Sequence, residues 1–137
     1  MDRGLLTAWV AGYERAWRTP DGPELDRALA RLFAPDASYL TAPFERPYVG
    51  LSAIGQMWRS NRQGPDERFS IAPEVVAVDA DRRSGVVRLE VRYGEPPSQV
   101  YRNLWVVSFD AEGRCTAFEE WPFWPPGSQG SYAHGPG

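Results

Sequence analysis

The 137-residue sequence contains no lysine, one cysteine and one histidine. The absence of lysine excludes Schiff-base chemistry through a side-chain amine. A single cysteine, Cys115, excludes an intramolecular disulfide framework and a zinc site built from several cysteines. The single histidine, His134, lies in a segment rich in glycine, serine and proline, which argues against Ser-His-Asp and Cys-His catalysis. Proton transfer would therefore fall to carboxylates, tyrosines and arginines.

Other features are missing as well. The formal net charge is −3 and no basic run is present, so nucleic acid is not expected as a partner. No glycine-rich phosphate loop and no clustered metal ligands occur, so we expect neither a nucleotide cofactor nor a metal. No apolar run reaches the ~20 residues of a membrane span. Leu5 to Val10 is too short for a signal peptide, and the cytoplasm is the expected compartment.

Hydrophobic residues make up 42% of the chain and charged residues 24%, the balance of a folded protein. This composition and length predict one domain over residues 1–124, followed by a disordered tail rich in proline, glycine and serine over 125–137. Six tryptophans are unusual for one small domain, and they could line a pocket or simply fill a core.

The first half of the chain has the periodicity of helices. Apolar residues recur at helical spacing from Leu6 to Trp17, and Pro23 suits the first turn of a second helix that Pro35 closes. Ala37 to Ala42 is typical of a short strand, and Ser52 is a natural N-cap for a third helix.

The second half is rich in β-branched and aromatic residues separated by short connections. Four strands are predicted: Phe69–Val78, Val86–Tyr93, Val100–Phe109 and Cys115–Phe123. Helices followed by antiparallel strands predict an α+β fold. We expect a cone-shaped, strongly curved antiparallel sheet wrapped around the N-terminal helices.

Several strings in this order resemble the nuclear transport factor 2-like superfamily, specifically its SnoaL-like branch. They are Trp17, residues 32–39 (LFAPDASY), 50–54 (GLSAI), 109–115 (FDAEGRC) and 118–121 (FEEW). The resemblance covers about residues 5–124. It implies a curved sheet on helices, a hydrophobic pocket at the wide end and frequently a dimer through the sheet. Members include ketosteroid isomerase, polyketide cyclases, dehydratases, limonene epoxide hydrolase and proteins that only bind or scaffold.

Similarity to limonene epoxide hydrolase implies a catalytic group of Arg88, Glu90 and Glu120, in place of that enzyme's arginine and two aspartates. It also brings a Tyr-x-Asn pattern onto Tyr39 and Thr41. The alternative is that charged residues of the Arg88 to Arg92 strand face water while its aliphatic residues face the core. Glu119 and Glu120 cannot both point inward on a regular strand, and the resemblance favours Glu120.

Seven residues are candidates for contact with a substrate, either as aromatic walls or as polar groups that orient an oxygen. They are Tyr13, Trp17, Tyr39, Thr41, Trp58, Asn103 and Trp105. Each could instead be ordinary core packing.

Two functions remain open at this point. The first is a small cofactor-independent enzyme that uses carboxylate acid/base chemistry on an apolar, oxygen-bearing metabolite, as an isomerase, cyclase, dehydratase or epoxide hydrolase. The second is a non-catalytic protein that binds a small ligand or serves as a dimeric scaffold. A homodimer is expected in either case, because Leu104 and Val106 are apolar on the strand face opposite Asn103 and Trp105. The relative placement of Glu90 and Glu120 would separate the two functions.

Overall fold

The helices of the protein lie in the first half of the chain, as predicted. The computed structural model describes residues 1–62, 68–94 and 99–126. Its helices are α1 (Arg3–Trp17), α2 (Pro23–Leu32) and α3 (Leu51–Asn61). Asp2 caps α1 by accepting a hydrogen bond from the backbone N–H of Leu5 at 2.8 Å. None of these helices is long and apolar enough to cross a membrane.

One open sheet of six strands follows the order β2-β1-β6-β5-β4-β3. The strands are β1 (Phe33–Leu40), β2 (Tyr48–Val49), β3 (Phe69–Asp79), β4 (Ser84–Tyr93), β5 (Gln99–Phe109) and β6 (Cys115–Phe123). The α+β cone-like fold is thereby confirmed. The sheet is mixed rather than wholly antiparallel, because β1 pairs with β6 in parallel while the other neighbouring strands are antiparallel.

Local boundaries differ from the prediction in the region between α2 and α3. The first strand begins at Phe33, directly after α2, because Phe33 belongs to the sheet although its spacing continues the apolar stripe of the helix. Pro35 therefore lies within β1, where the register with β6 is interrupted. The predicted cap Ser52 is wrong: Gly50 occupies the N-cap position of α3, without a side-chain cap.

The core lies between the helices and one face of the sheet, which we call the inner face. Alternation along β4 buries Val87, Leu89 and Val91 on the inner face and leaves the intervening residues more exposed. Trp9 of α1 packs at the centre of this layer and donates its indole N–H to the carbonyl of Leu32 at 3.0 Å. The predicted tail over 125–137 lies outside the described residues from position 127 onward.

Candidate functional site

A buried carboxyl group lies at the centre of the inner face. Glu120 of β6 accepts a hydrogen bond from the Tyr39 hydroxyl of β1 at 3.0 Å on one oxygen. Its other oxygen accepts from the Asn103 side-chain amide of β5 at 3.1 Å. Tyr39 is 1% exposed and Asn103 2%, whereas Glu120 itself is half-buried. Glu120 is thus held from both neighbouring strands and keeps some accessible surface.

A second tyrosine extends this arrangement into the helical layer. The hydroxyl of Tyr13, on α1, lies 2.5 Å from the hydroxyl of Tyr39. Because Tyr39 donates its hydrogen to Glu120, Tyr13 is the donor to Tyr39 in the ionised state of Glu120. The hydrogen bonds therefore run from Tyr13 through Tyr39 to the carboxylate, and each step polarises the next.

Burial controls the ionisation of this group. It raises the pKa of Glu120 from 4.5 to about 7, because desolvation outweighs the hydrogen bonds from Asn103 and Tyr39 that favour the charged form. Burial also raises the pKa of Tyr39 well above 10.0, with further contributions from Tyr13 and Glu120. Near neutral pH, Glu120 therefore populates both protonation states while Tyr39 remains a donor.

Aromatic rings surround the Tyr13–Tyr39–Glu120 network. The ring centroid of Trp105 lies 4.6 Å from that of Tyr13, and the ring of Trp58 lies 5.0 Å from it. Phe118 lies 4.4 Å from Tyr39, and half-buried Trp17 lies 4.7 Å from Trp58. These contacts place the predicted aromatic candidates in one cluster.

Four polar atoms in the same region are buried and have no hydrogen-bond partner among the described residues. They are Trp58 Nε1, Trp105 Nε1, Asn103 Oδ1 and Thr41 Oγ1. The residues that carry them are between 0% and 6% exposed. Unpartnered buried polar groups are costly, so native proteins satisfy nearly all of them.

Arg88 and Glu90 lie on the opposite, outer face of the sheet. Leu89 pairs with Asn103 and Val87 with Trp105, so the odd-numbered residues of β4 share the face of Glu120. The structure therefore does not bring Arg88 and Glu90 to Glu120, which corrects the grouping implied by the resemblance.

The outer-face residues have partners of their own. Arg88 pairs with Glu74 at 2.7 Å, and both side chains are more than half exposed. Glu90 pairs with Arg92 at 2.9 Å and with Arg102 at 3.7 Å. These contacts match the alternative interpretation of this strand, in which charged residues face water.

The choice between the two adjacent glutamates is settled by their partners. Glu119 accepts a hydrogen bond from the indole N–H of Trp121 at 3.0 Å on the exposed side of β6, whereas Glu120 faces the helices. Sequence reasoning named Tyr13 and Tyr39 as walls and missed their hydrogen bonds to each other and to Glu120. The signal that would have found them is the parallel pairing of β1 with β6, which has no local sequence signature.

Within residues 1–62, 68–94 and 99–126, no group of three or more histidine, cysteine or acidic side chains could hold a metal ion. Burial raises the pKa of the Cys115 thiol to about 12, which leaves it un-ionised at neutral pH.

Comparison of the fold with solved structures identifies many similar chains. One is a SnoaL-like family protein from Agrobacterium tumefaciens, with a TM-score of 0.70, 19% identity and coverage of 87% of this chain and 97% of that one. A steroid delta-isomerase from Pseudomonas aeruginosa gives a TM-score of 0.57 and 21% identity, covering 89% and 81%. SalBIII, an epoxide hydrolase/cyclase-like enzyme of pyran ring formation in the polyether salinomycin, gives 0.65 and 18%, covering 91% and 94%.

At these identities the likeness shows the fold, and the predicted SnoaL-like fold is confirmed. The sequence matches no family profile and no curated protein.

Proposed function

We propose that this protein is a cofactor-independent enzyme in which Glu120 moves protons on an apolar, oxygen-bearing small molecule. The observation that carries the proposal is the buried Glu120 carboxyl, held between Tyr39 and Asn103. Its pKa of about 7 keeps the acid and the base form both available at neutral pH, the condition under which one group can take up a proton and give it back.

A single carboxyl group favours particular reactions. In an isomerisation, Glu120 would remove a proton from one substrate atom and return it to another, with no net change in the enzyme. In a ring closure, it would take the proton of an attacking hydroxyl group and return it to the leaving oxygen. Both need one carboxyl group, whereas two-carboxylate hydrolysis needs a partner that Glu90, on the outer face, does not supply.

The fold comparisons support the class of reaction and do not identify a substrate. A steroid isomerase and an epoxide hydrolase/cyclase-like enzyme share the architecture of this chain. The same fold supports different chemistries, so the proposal depends on the residues around Glu120.

The direct test is a turnover assay on a panel of epoxides, enones and hydroxy-ketones. We expect Glu120→Gln to lower the rate by about 10² to 10⁴, because the amide keeps the shape of the side chain but cannot exchange a proton. Glu119→Gln is the matched control, since Glu119 is adjacent in sequence and bonds Trp121 on the other face. Equal rates for wild type and Glu120→Gln on a substrate that is turned over would refute the proposal.

A third variant, Glu90→Gln, tests whether Glu90 takes part in the reaction. The resemblance to limonene epoxide hydrolase implies that it does, whereas its position on the outer face implies that it does not. A loss of turnover comparable to that of Glu120→Gln would restore the carried-over role of Glu90. Rates that stay within about twofold of wild type would leave Glu120 as the acid/base group, consistent with the ion pairs of Glu90 to Arg92 and Arg102.

The second candidate is a non-catalytic binding protein. It is favoured by the unpartnered buried groups of Trp58, Trp105 and Thr41, which a ligand could satisfy without any reaction. Binding of a ligand that is recovered unchanged after prolonged incubation, together with no turnover on the panel, would favour this function.

We also propose that the outer face of the sheet forms a homodimer. Trp121 and Phe123 of β6 are 39% and 56% exposed there, and Leu104 pairs with Trp121 across the two strands. An exposed apolar patch of this kind favours association. Sedimentation should report a dimer at high micromolar concentration, and Leu104→Glu should shift it toward monomer. A wild-type monomer at that concentration would contradict the proposal.

A further inference from the structure

The unpartnered polar atoms in the region of Glu120 indicate which hydrogen-bonding groups a ligand would need. Trp58 and Trp105 each bury an indole N–H donor, and Asn103 buries an acceptor oxygen. Phenylalanine or leucine at these positions would fill a similar space without burying a group that needs a partner. A bound molecule with suitable polar groups would supply partners for these atoms.

Two of the residues that carry these atoms, Asn103 and Trp105, are neighbours of Glu120 in the sheet. Trp105 lies directly opposite Glu120 in the register of β5 and β6. Asn103 holds Glu120 through its amide nitrogen, and its unpartnered oxygen is on the same amide group. Thr41, also buried and unpartnered, follows Tyr39 by two residues. A molecule that binds the oxygen of Asn103 would therefore lie next to Glu120.

The charge and the hydrogen-bond donors of the site disfavour two classes of ligand. Arg62 is the only buried arginine in the described ranges, and its terminal nitrogens donate to the carbonyls of Ala16 and Trp17 and to Asp21. Among the residues that the structure describes, no arginine pairs with Glu120, so an anionic ligand would meet no counter-charge from them. A cationic amine could pair with Glu120, but an ammonium group has no acceptor atom, so it would leave the indole N–H donors of Trp58 and Trp105 without partners.

We infer that the ligand is an uncharged molecule with an apolar skeleton and at least two separate oxygen functions. One is a hydroxyl group that donates to Asn103 Oδ1, beside Glu120. The other is a carbonyl or ether oxygen that accepts from the indole N–H of Trp105 or Trp58. The inference names the ligand class of the proposed active site, and it holds whether or not the ligand is converted.

A matched set of fluorescent naphthalenes tests the inference on the wild-type protein. The probes are 2-naphthol, 2-acetylnaphthalene, 6-hydroxy-2-acetylnaphthalene, 6-hydroxy-2-naphthoic acid and 2-(aminomethyl)naphthalene. We expect the hydroxy-ketone to bind at least about tenfold tighter than either single-function probe, since each added hydrogen bond contributes on that order. The acid and the amine should bind more weakly than the hydroxy-ketone at pH 8.

Substitutions of the two inner tryptophans then test which indole N–H binds the ketone oxygen. At least one of Trp105→Phe and Trp58→Phe should weaken the two ketone probes by about tenfold and leave 2-naphthol unchanged. Trp121→Phe is the matched control, because its indole bonds Glu119 on the outer face, and it should change none of the affinities. Should both inner variants fail to fold, the affinities of the five probes for the wild-type protein still test the inference.

Several outcomes would overturn the inference: equal binding of the three neutral probes, tightest binding of the acid or the amine, or no binding of the hydroxy-ketone at millimolar concentration. Trp→Phe variants that bind all probes like wild type would mean that water alone satisfies the buried groups. Selective binding without turnover would reject the proposed enzyme and keep the ligand class. Turnover that depends on Glu120 without this selectivity would support the proposed enzyme and reject the inferred ligand class.

Discussion

Tyr39 donates its hydroxyl hydrogen to Glu120, a residue 81 positions further along the chain. The contact exists because β1 and β6 pair in parallel, with Tyr39 opposite Phe118. Side chains two residues apart on a strand share a face, so Glu120 points to the same side as Phe118 and reaches the tyrosine hydroxyl. This hydrogen bond joins the first strand to the last and sets the environment of the carboxyl group.

Tyr39→Phe removes that donor from the Glu120 carboxylate. A hydrogen bond to the charged form lowers a carboxyl pKa, so its loss should raise the pKa of Glu120 further above about 7. The variant should also lose about 1 kcal/mol of stability. Titration of 13C-labelled glutamate side chains by NMR measures the change, with the Glu120 signal assigned by its absence in Glu120→Gln.

Tyr48→Phe, at a half-buried position of β2, is the control for loss of a tyrosine hydroxyl. It should leave the titration of Glu120 unchanged. An unchanged or lowered Glu120 pKa in Tyr39→Phe would show that the hydroxyl does not act on the carboxylate.

Gly85, at the start of β4, lies against the first helix. A Cβ atom built there would lie 2.5 Å from Cδ2 of Leu6 and 3.2 Å from the carbonyl oxygen of Ala77. Because Leu6 is fully buried and cannot easily move away, Gly85→Ala should destabilise the fold by about 1–3 kcal/mol. Urea unfolding measures this loss.

Gly4→Ala is the control for Gly85→Ala, and we expect it not to destabilise the fold. A Cβ atom at Gly4, in α1, makes only an ordinary contact with Asp2 at 3.4 Å. Gly4→Ala should therefore be neutral or stabilising by up to about 1 kcal/mol, as helix propensity predicts. Similar effects of the two substitutions would mean that backbone entropy, and not the contact with Leu6, decides the cost at Gly85.

The parts of the fold that depend on local periodicity were predictable from the sequence. The strand Cys115–Phe123 was predicted with the bounds observed, and α1 was predicted from its apolar stripe. Alternation in β4 also separated Arg88 and Glu90 from Leu89. The alternation of residue types along a strand predicts which residues share a face, and in β4 the aliphatic face is the buried one.

The parts that depend on distant pairing were not predictable from one sequence. Neither the parallel neighbour of β1 nor the network of Tyr13, Tyr39 and Glu120 has a local signal, since the residues come from different elements. The resemblance named Glu120 and Tyr39 individually, and their role in a site stays a proposal. It grouped Glu120 with Arg88 and Glu90 because it carried residues over by strand position, without regard to the face on which each lies.

Arg62 joins the ends of two helices. Its guanidinium is almost fully buried and donates to the carbonyls of Ala16 and Trp17 at the end of α1 and to Asp21. Arg62→Met would remove these three hydrogen bonds and should cost about 2–4 kcal/mol. Arg59→Met, which removes only the exposed pair with Asp26, should cost less than about 1 kcal/mol.

Chemical denaturation at one pH measures the loss of stability in Arg62→Met and in Arg59→Met. Comparable losses for the two arginine variants would indicate that Arg62 contributes only its charge. A loss in Arg62→Met that persists in high salt would instead support the role of its hydrogen bonds, since buried interactions are screened weakly.

The raised pKa of Glu120 also makes stability depend on pH. The folded protein holds this proton up to about pH 7, whereas the unfolded chain releases it near 4.5. Between these values the folded state binds more protons, so the contribution of Glu120 to the free energy of unfolding is full below pH 4.5 and is lost as the pH rises to 7. The loss amounts to at most about 3 kcal/mol.

Glu120→Gln removes this dependence, because the amide does not titrate. The free energy of unfolding of the variant minus that of wild type should therefore increase from pH 4.5 to pH 7 and stay constant above it. Urea unfolding of both proteins at several pH values measures the difference, in which groups common to both cancel, such as Asp110 with its lowered pKa. A difference that is flat or falls over this range would show that Glu120 titrates normally and is unsuited to proton transfer at neutral pH.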